Sequence, residues 1–258
     1  MRSVTTLPRT PSFRLTGRAA LVTGAGRGIG LAAAAALAEA GASVTLAART
    51  IAEIDEATEL LRAAGHTARA QRLDVTDIEA TERFVADAGP FQVLVNNAGS
   101  NRPAPLLEVT EDDYDAVAGI NVKAALFAAR AVARGLIEAK RPGSIINMSS
   151  QMGHVGGPAR TVYCATKHAV EGFTKAMAIE LGPHGIRVNT ICPTFIRTSL
   201  TESTFRDPAM RAMIEEKIAL GRVGTVEDVM GAVVFLACDA SALVTGSALM
   251  VDGGWTAA

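Results

Sequence analysis

Thr23-Gly24-Ala25-Gly26-Arg27-Gly28-Ile29-Gly30 is the stretch from which the fold can be read. It follows an apolar run at 19–22 and leads straight into Leu31-Ala32-Ala33-Ala34-Ala35-Ala36-Leu37-Ala38. Glycine allows the main chain to turn sharply and to approach a ligand closely. The first turn of a helix adds unpaired N–H groups and partial positive charge. Strand, glycine turn and helix in this order predict a cradle for a diphosphate. Gly28 to Ala33 also fits the pattern GxGxxA, a weak signal alone that its place after a strand strengthens. Ala32, Ala33 and Ala36 give the helix a small face that can pack tightly on a sheet.

Outward from this cradle, strand-like and helix-like segments alternate. Strand candidates are 19–22, 43–47, 67–73, 92–95, 144–148, 187–191 and 248–251. Several are continuous apolar runs, as expected of strands covered on both faces. Helical stretches fall at 29–40, 53–64, 77–88, 111–139 and 161–181. The alternation predicts an α/β fold: a single Rossmann-like, doubly wound parallel sheet of about seven strands, flanked by helices on both faces. No repeat or linker divides the chain, so residues 15–258 are expected to form one catalytic domain behind a flexible arm at 1–14. The least regular stretch, 198–224, reads as a substrate loop with a short helical pattern around 213–219.

Composition narrows the function classes. The 258 residues carry 25 basic and 26 acidic side chains, so no basic excess points to nucleic acid or to an anionic membrane. The alanine-rich run at 31–38 is far short of the ~18 residues of a membrane span. Cys164, Cys192 and Cys238 are odd in number and widely spaced, with no CxxC pair and no histidine at a metal-ligand spacing. A reducing, cytoplasmic setting and no metal are therefore expected. Residues 1–16 lack the apolar core of a secretory signal.

The spacing Thr23-Gly24-x-x-x-Gly28-x-Gly30 resembles that of the short-chain dehydrogenase/reductase family. The resemblance continues through Asn96-Asn97-Ala98-Gly99 and covers about residues 15–255. It implies a nicotinamide cofactor held by Gly24, Gly28, Ile29 and Gly30, by Asp74 with Val75 after the third strand, and by Asn97, Ala98 and Gly99. Cys192-Pro193-Thr194-Phe195-Ile196-Arg197-Thr198 is similar to the family's PGxxxT segment, which implies cofactor contacts from Pro193, Ile196 and Thr198. Thr194 stands where the family has glycine, which leaves the local backbone path open.

An NAD site usually ends its second strand in a carboxylate that holds the ribose 2′-hydroxyl. Here that place is Ala48, followed by Arg49, and Arg27 sits in the glycine turn. An arginine fork suits a 2′-phosphate, and a missing carboxylate removes the repulsion that would exclude it. NADP(H) is the expected cofactor.

Tyr163 and Lys167 stand four apart in a helical pattern, on one face. An unperturbed tyrosine titrates near 10, too high for proton exchange near neutrality, and a neighbouring ammonium would lower it. The resemblance implies that Ser150, 13 residues earlier, binds the substrate oxygen and that Asn121 supports a water linking Lys167 to solvent. It further implies that Lys167 and Tyr163 touch the cofactor. Together these imply hydride exchange between NADP(H) and a secondary alcohol or ketone.

Gln151, His154 and Arg160, between the serine and the tyrosine, suggest a hydroxylated or anionic small molecule such as a sugar, polyol or sugar acid. A 3-oxoacyl-thioester (acyl-carrier-protein) reductase shares the same catalytic features and stays open. A non-catalytic NADP-binding regulator would lack Tyr163 or Lys167, and both are present. In the family, the helices expected at 111–139 and 161–181 and the last strand build subunit contacts, which implies a homotetramer.

Overall fold

A computed structural model of the chain describes residues 7–199 and 201–257; residues 1–6 of the expected arm lie outside the described residues. Residues 7–14 are exposed and without regular structure, as expected of an arm. From Leu15, which is fully buried, the chain forms a single α/β unit.

Seven parallel strands make one sheet in the order β3-β2-β1-β4-β5-β6-β7. They are β1 (Ala19–Thr23), β2 (Ser43–Ala48), β3 (Ala68–Arg72), β4 (Val93–Asn96), β5 (Gly143–Met148), β6 (Ile186–Pro193) and β7 (Ala248–Val251). The interior strands bury nearly every residue, because helices cover both faces. β3 and β7 lie at the edges, and β3, reading Ala-Arg-Ala-Gln-Arg, is correspondingly polar. Strand order reverses between β1 and β4, and a crevice opens there outside the carboxyl ends of the strands.

The helices are α1 (Gly28–Glu39), α2 (Ile51–Ala63), α3 (Ile78–Ala88), α4 (Glu111–Ala118), α5 (Ala125–Glu138), α6 (Thr161–Leu181), α7 (Glu202–Phe205), α8 (Pro208–Lys217) and α9 (Glu227–Ala237). The alanines of α1 let it lie close against the sheet and against α9, whose Val229, Val233 and Leu236 share its core. On the other face, α5 and α6 cover Leu94, Ile145 and Val188. Each buried Leu or Ile of this kind contributes about 1.5–3 kcal/mol.

Two expectations need correction. The segment 111–139 is not one regular helix: a π-helical turn, Gly119–Ala124, separates α4 from α5. The wider turn lets the buried Asn121 face the loop at Ser100 instead of continuing the regular helical stripe. The run Glu111–Glu138 is also long and apolar enough by composition to cross a membrane, a property that the alanine run did not reveal. In this fold its apolar side, with Ala128, Val132 and Leu136, is buried in the core.

The excursion at 198–224 is more helical than its composition suggests. Asp207 caps α8 by accepting from the N–H groups of Ala209 and Met210. Ile214, Ile218 and Val223 pack under Phe195, Phe205 and Trp255, forming a small core of their own. Gly224 and Phe195 close its base through a main-chain hydrogen bond of 2.9 Å.

Candidate active site

Two clefts meet above the strand ends. One, of about 270 Å³, runs over the glycine turn between Arg49, Asp74 and Ala98. The other, of about 410 Å³, is lined by Ser150, Tyr163, Lys167, Pro193 and residues of the excursion. Ile29, Asn97, Gly99 and Thr198 line both, so the two form one trench.

Local geometry explains the glycines. Gly24 and Gly28 have φ of +64° and +57°, where L side chains are strained. A Cβ on Gly30 would lie 2.2 Å from the Gly24 carbonyl oxygen and 2.5 Å from Asn97 Nδ2. Asn97 donates through Nδ2 to the carbonyls of Thr23 and Gly24, each at 3.1 Å, while Thr23 Oγ1 accepts from the N–H groups of Asn97 and Ala98. Asn97 therefore holds the turn in shape from the neighbouring strand end. The first turn of α1 has no side-chain cap and no acidic residue, which leaves its N–H groups and positive end toward the trench.

At the far end of this cleft Arg49 is exposed and faces Asp74. Partial burial works against the Asp74 carboxylate, but hydrogen bonds from Thr76 and the Arg49 charge hold it below the ordinary value. Arg27 reaches 3.4 Å from Glu53, so this arginine is aimed at a carboxylate as well as at the cleft. Val75 also lines this wall.

Of the expected tetrad, the second cleft brings Ser150, Tyr163 and Lys167 together, while Asn121 is buried and does not line it. Tyr163 is half-buried and lines this cleft beside Ser150. Ser150 Oγ accepts from Met152 N–H at 3.1 Å, which fixes its rotamer. Lys167 is buried and donates through Nζ to the Met148 carbonyl at 2.8 Å, with Nζ 5.5 Å from the Tyr163 ring centroid. Asn121 Nδ2 donates to Ser100 O at 2.9 Å and to Thr166 Oγ1 at 3.1 Å, and its Oδ1 accepts from Ser100 N–H. Both amide hydrogens are thus committed to neighbours, and a water could be held only by the rest of this residue.

The expected lowering of the phenol is reversed by the protein's own groups. Burial pushes Tyr163 up to about 12, with the nearby Ser150 hydroxyl and the Arg160 charge pulling the other way. Burial also brings Lys167 down to about 8, opposed by Cys192 and the Glu171 carboxylate. The lysine is aimed at Met148, and burial is the largest influence on both groups.

Of the three substrate candidates, Gln151 and Arg160 line this cleft. Gln151 is 1% exposed, and its Oε1 has no hydrogen-bond partner among the described residues. His154 does not line it: the 3₁₀ turn Gln151–Gly153 carries the ring away, toward Glu171 and Cys192. Pro193, Ile196 and Thr198 line the second cleft, and Thr198 lines the glycine cleft as well. Thr194 keeps an ordinary φ, and its N–H bonds the Val251 carbonyl at 3.2 Å, so losing the glycine does not divert the chain. Composition did not single out Glu171, one turn beyond Lys167. A charged residue on the buried stripe Lys167-Val170-Glu171-Thr174 was the available signal.

Comparison with known proteins agrees with this geometry. The family model described as Enoyl-(Acyl carrier protein) reductase matches residues 24–256. L-xylulose reductase of Bos taurus is 43% identical over 245 residues, covering 95% of this chain and 99% of that protein. Gluconate 5-dehydrogenase of Gluconobacter oxydans is 42% identical over 248 residues, covering 95% and 96%. The crystal structure of a gluconate 5-dehydrogenase from Burkholderia cenocepacia, in complex with NADP and tartrate, is 38% identical, covers 95% of this chain and 98% of that one, and superposes with a TM-score of 0.91. With the trench, the tetrad and these whole-length matches, the chain belongs to the short-chain dehydrogenase/reductase family of oxidoreductases.

Proposed function

We propose that this enzyme transfers hydride between NADP(H) and a secondary alcohol or ketone of a sugar, polyol or sugar acid. The observation that carries the reading is the gathering of Ser150, Tyr163 and Lys167 on one cleft wall, where that cleft joins the glycine cradle. The cradle fits the cofactor, because side chains at Gly24, Gly28 and Gly30 would be strained or collide, and Arg49 is exposed at the adenosine end. Gly99, Asp74, Val75 and Ile29 would line its path.

A nicotinamide cofactor held by this cradle would supply or accept the hydride. Ser150 and Tyr163 donate hydrogen bonds to the substrate oxygen as negative charge grows there. Tyr163 gives its proton to that oxygen, and Lys167 returns one toward the phenolate. The Met148 carbonyl holds Lys167 in place for this step.

Gln151 and Arg160 support a hydroxylated or anionic substrate, since a residue with an amide and one with a guanidinium both line the cleft. The names of the relatives, a xylulose reductase and two gluconate dehydrogenases, favour the same class. A panel of ketoses, polyols, sugar acids and 3-oxoacyl thioesters, followed by NADPH absorbance, tests the reading. Turnover restricted to the thioesters would replace it with acyl reduction. We place the enzyme in the cytoplasm as a homotetramer; an apolar groove of about 540 Å³ between α5 and α6 supports association, and light scattering checks it.

A further inference from the structure

Beyond the substrate cleft, three side chains distant in sequence converge. His154 comes from the loop after β5, Glu171 from α6 and Cys192 from the end of β6. His154 Nε2 is 3.5 Å from Cys192 Sγ and 3.6 Å from Glu171 Oε1. Cys192 Sγ is 3.3 Å from that same oxygen. We propose that His154, Glu171 and Cys192 form a binding site for a thiophilic divalent cation of the zinc class, with three protein ligands and a fourth position for water or Ser149.

The distances carry the argument. A tetrahedral zinc ion with Zn–S of about 2.3 Å and Zn–N and Zn–O of about 2.0–2.1 Å needs ligand atoms about 3.3–3.6 Å apart. All three separations fall within a few tenths of an ångström of that requirement. One nitrogen, one oxygen and one sulfur donor suit zinc and disfavour magnesium or calcium, which take oxygen ligands.

The surroundings are built for such a triad. Glu171 is buried, and its second oxygen accepts from Thr190 Oγ1 at 3.0 Å, which orients Oε1 toward the other two ligands. The Ser149 hydroxyl lies beside the Cys192 sulfur, buried and without a hydrogen-bond partner among the described residues. An unpaired buried hydroxyl costs about 1–3 kcal/mol, so a ligand at this point would relieve it. Gly153 keeps the space open: a Cβ there would stand 3.0 Å from Ser149 Oγ and 3.2 Å from Glu171 Cγ. The His154 side chain is 32% exposed, which leaves an entry path from solvent. On binding, the sulfur–metal bond forms as the Cys192 thiol proton passes to solvent, with no change in oxidation state.

Cobalt(II) titration of the metal-stripped protein tests the site. The expected result is one ion per chain, a thiolate-to-cobalt charge-transfer band in the near ultraviolet, intense visible bands of a four-coordinate ion, and displacement by Zn²⁺. Cys192→Ser should remove the charge-transfer band, while His154→Ala, a change at a half-exposed position, should weaken Zn²⁺ binding at least about tenfold. Zn²⁺ should raise the Tm of the wild type and not that of His154→Ala, with circular dichroism establishing that both variants fold. Absence of the band, or its persistence in Cys192→Ser, would overturn the proposal, as would a Zn²⁺-induced rise in Tm that His154→Ala keeps.

Discussion

Lys167 Nζ donates to the main-chain oxygen of Met148 at 2.8 Å. That bond joins α6 to the last residue of β5, the strand that delivers Ser150 two residues later. Lys167 and Ser150 are therefore fixed to one strand end, with Tyr163 one turn before Lys167 on α6. This shared anchor sets the geometry from which the following outcomes are expected.

Tyr163→Phe removes the proton donor and leaves the aromatic packing. Turnover should fall by about 10²–10⁴ or more, with NADPH affinity within a few-fold of wild type. Steady-state rates and fluorescence titration of NADPH check both halves; retained turnover would reassign the acid.

Lys167 is shifted by burial from its ordinary 10.5 to about 8. A basic group depressed in the folded state binds fewer protons there than in the unfolded chain between these two values. Stability therefore rises with pH across that window, by up to about 3 kcal/mol from this residue. Denaturant unfolding of wild type and Lys167→Met across the same window should show the gain in the wild type only.

The same shift predicts the reduction profile. Tyr163 remains protonated up to about 12, so it imposes no alkaline limb, whereas Lys167 loses its charge near 8. kcat/KM for carbonyl reduction should decline above about pH 8. A profile flat through that region would separate the lysine charge from the rate.

Arg49, like Arg27, is an exposed cation lining the glycine cleft. Arg49→Ala should reduce kcat/KM with NADPH about 10- to 100-fold and change that with NADH little, since a lost charge-assisted contact costs about 1.5–3 kcal/mol. An equal loss with both cofactors would point to a structural role.

Gly30→Ala places a methyl 2.2 Å from the Gly24 carbonyl oxygen. Neither backbone can yield without opening the turn, so cofactor binding should be lost and stability should fall by about 1–3 kcal/mol. Calorimetric titration with NADPH and thermal unfolding read the two effects.

What the sequence by itself determined follows from local physics. The glycine turn between β1 and α1, the alternation of apolar strands with helices, and the four-residue step from Tyr163 to Lys167 are short-range patterns, and each was legible because backbone conformation and helical periodicity act over a few residues. The tertiary structure decided the rest. Burial, which depends on every element packed around a group, moved the Tyr163 phenol up although its neighbouring lysine argued for down. A π-helical turn, not a regular helix, aimed Asn121 at Ser100. The 3₁₀ turn after Ser150 took His154 out of the substrate cleft and set it beside Cys192, 38 residues away in sequence and 3.5 Å away in space. No spacing along the chain encodes a meeting of that kind, because it depends on where a loop, a helix and a strand end come to rest against one another.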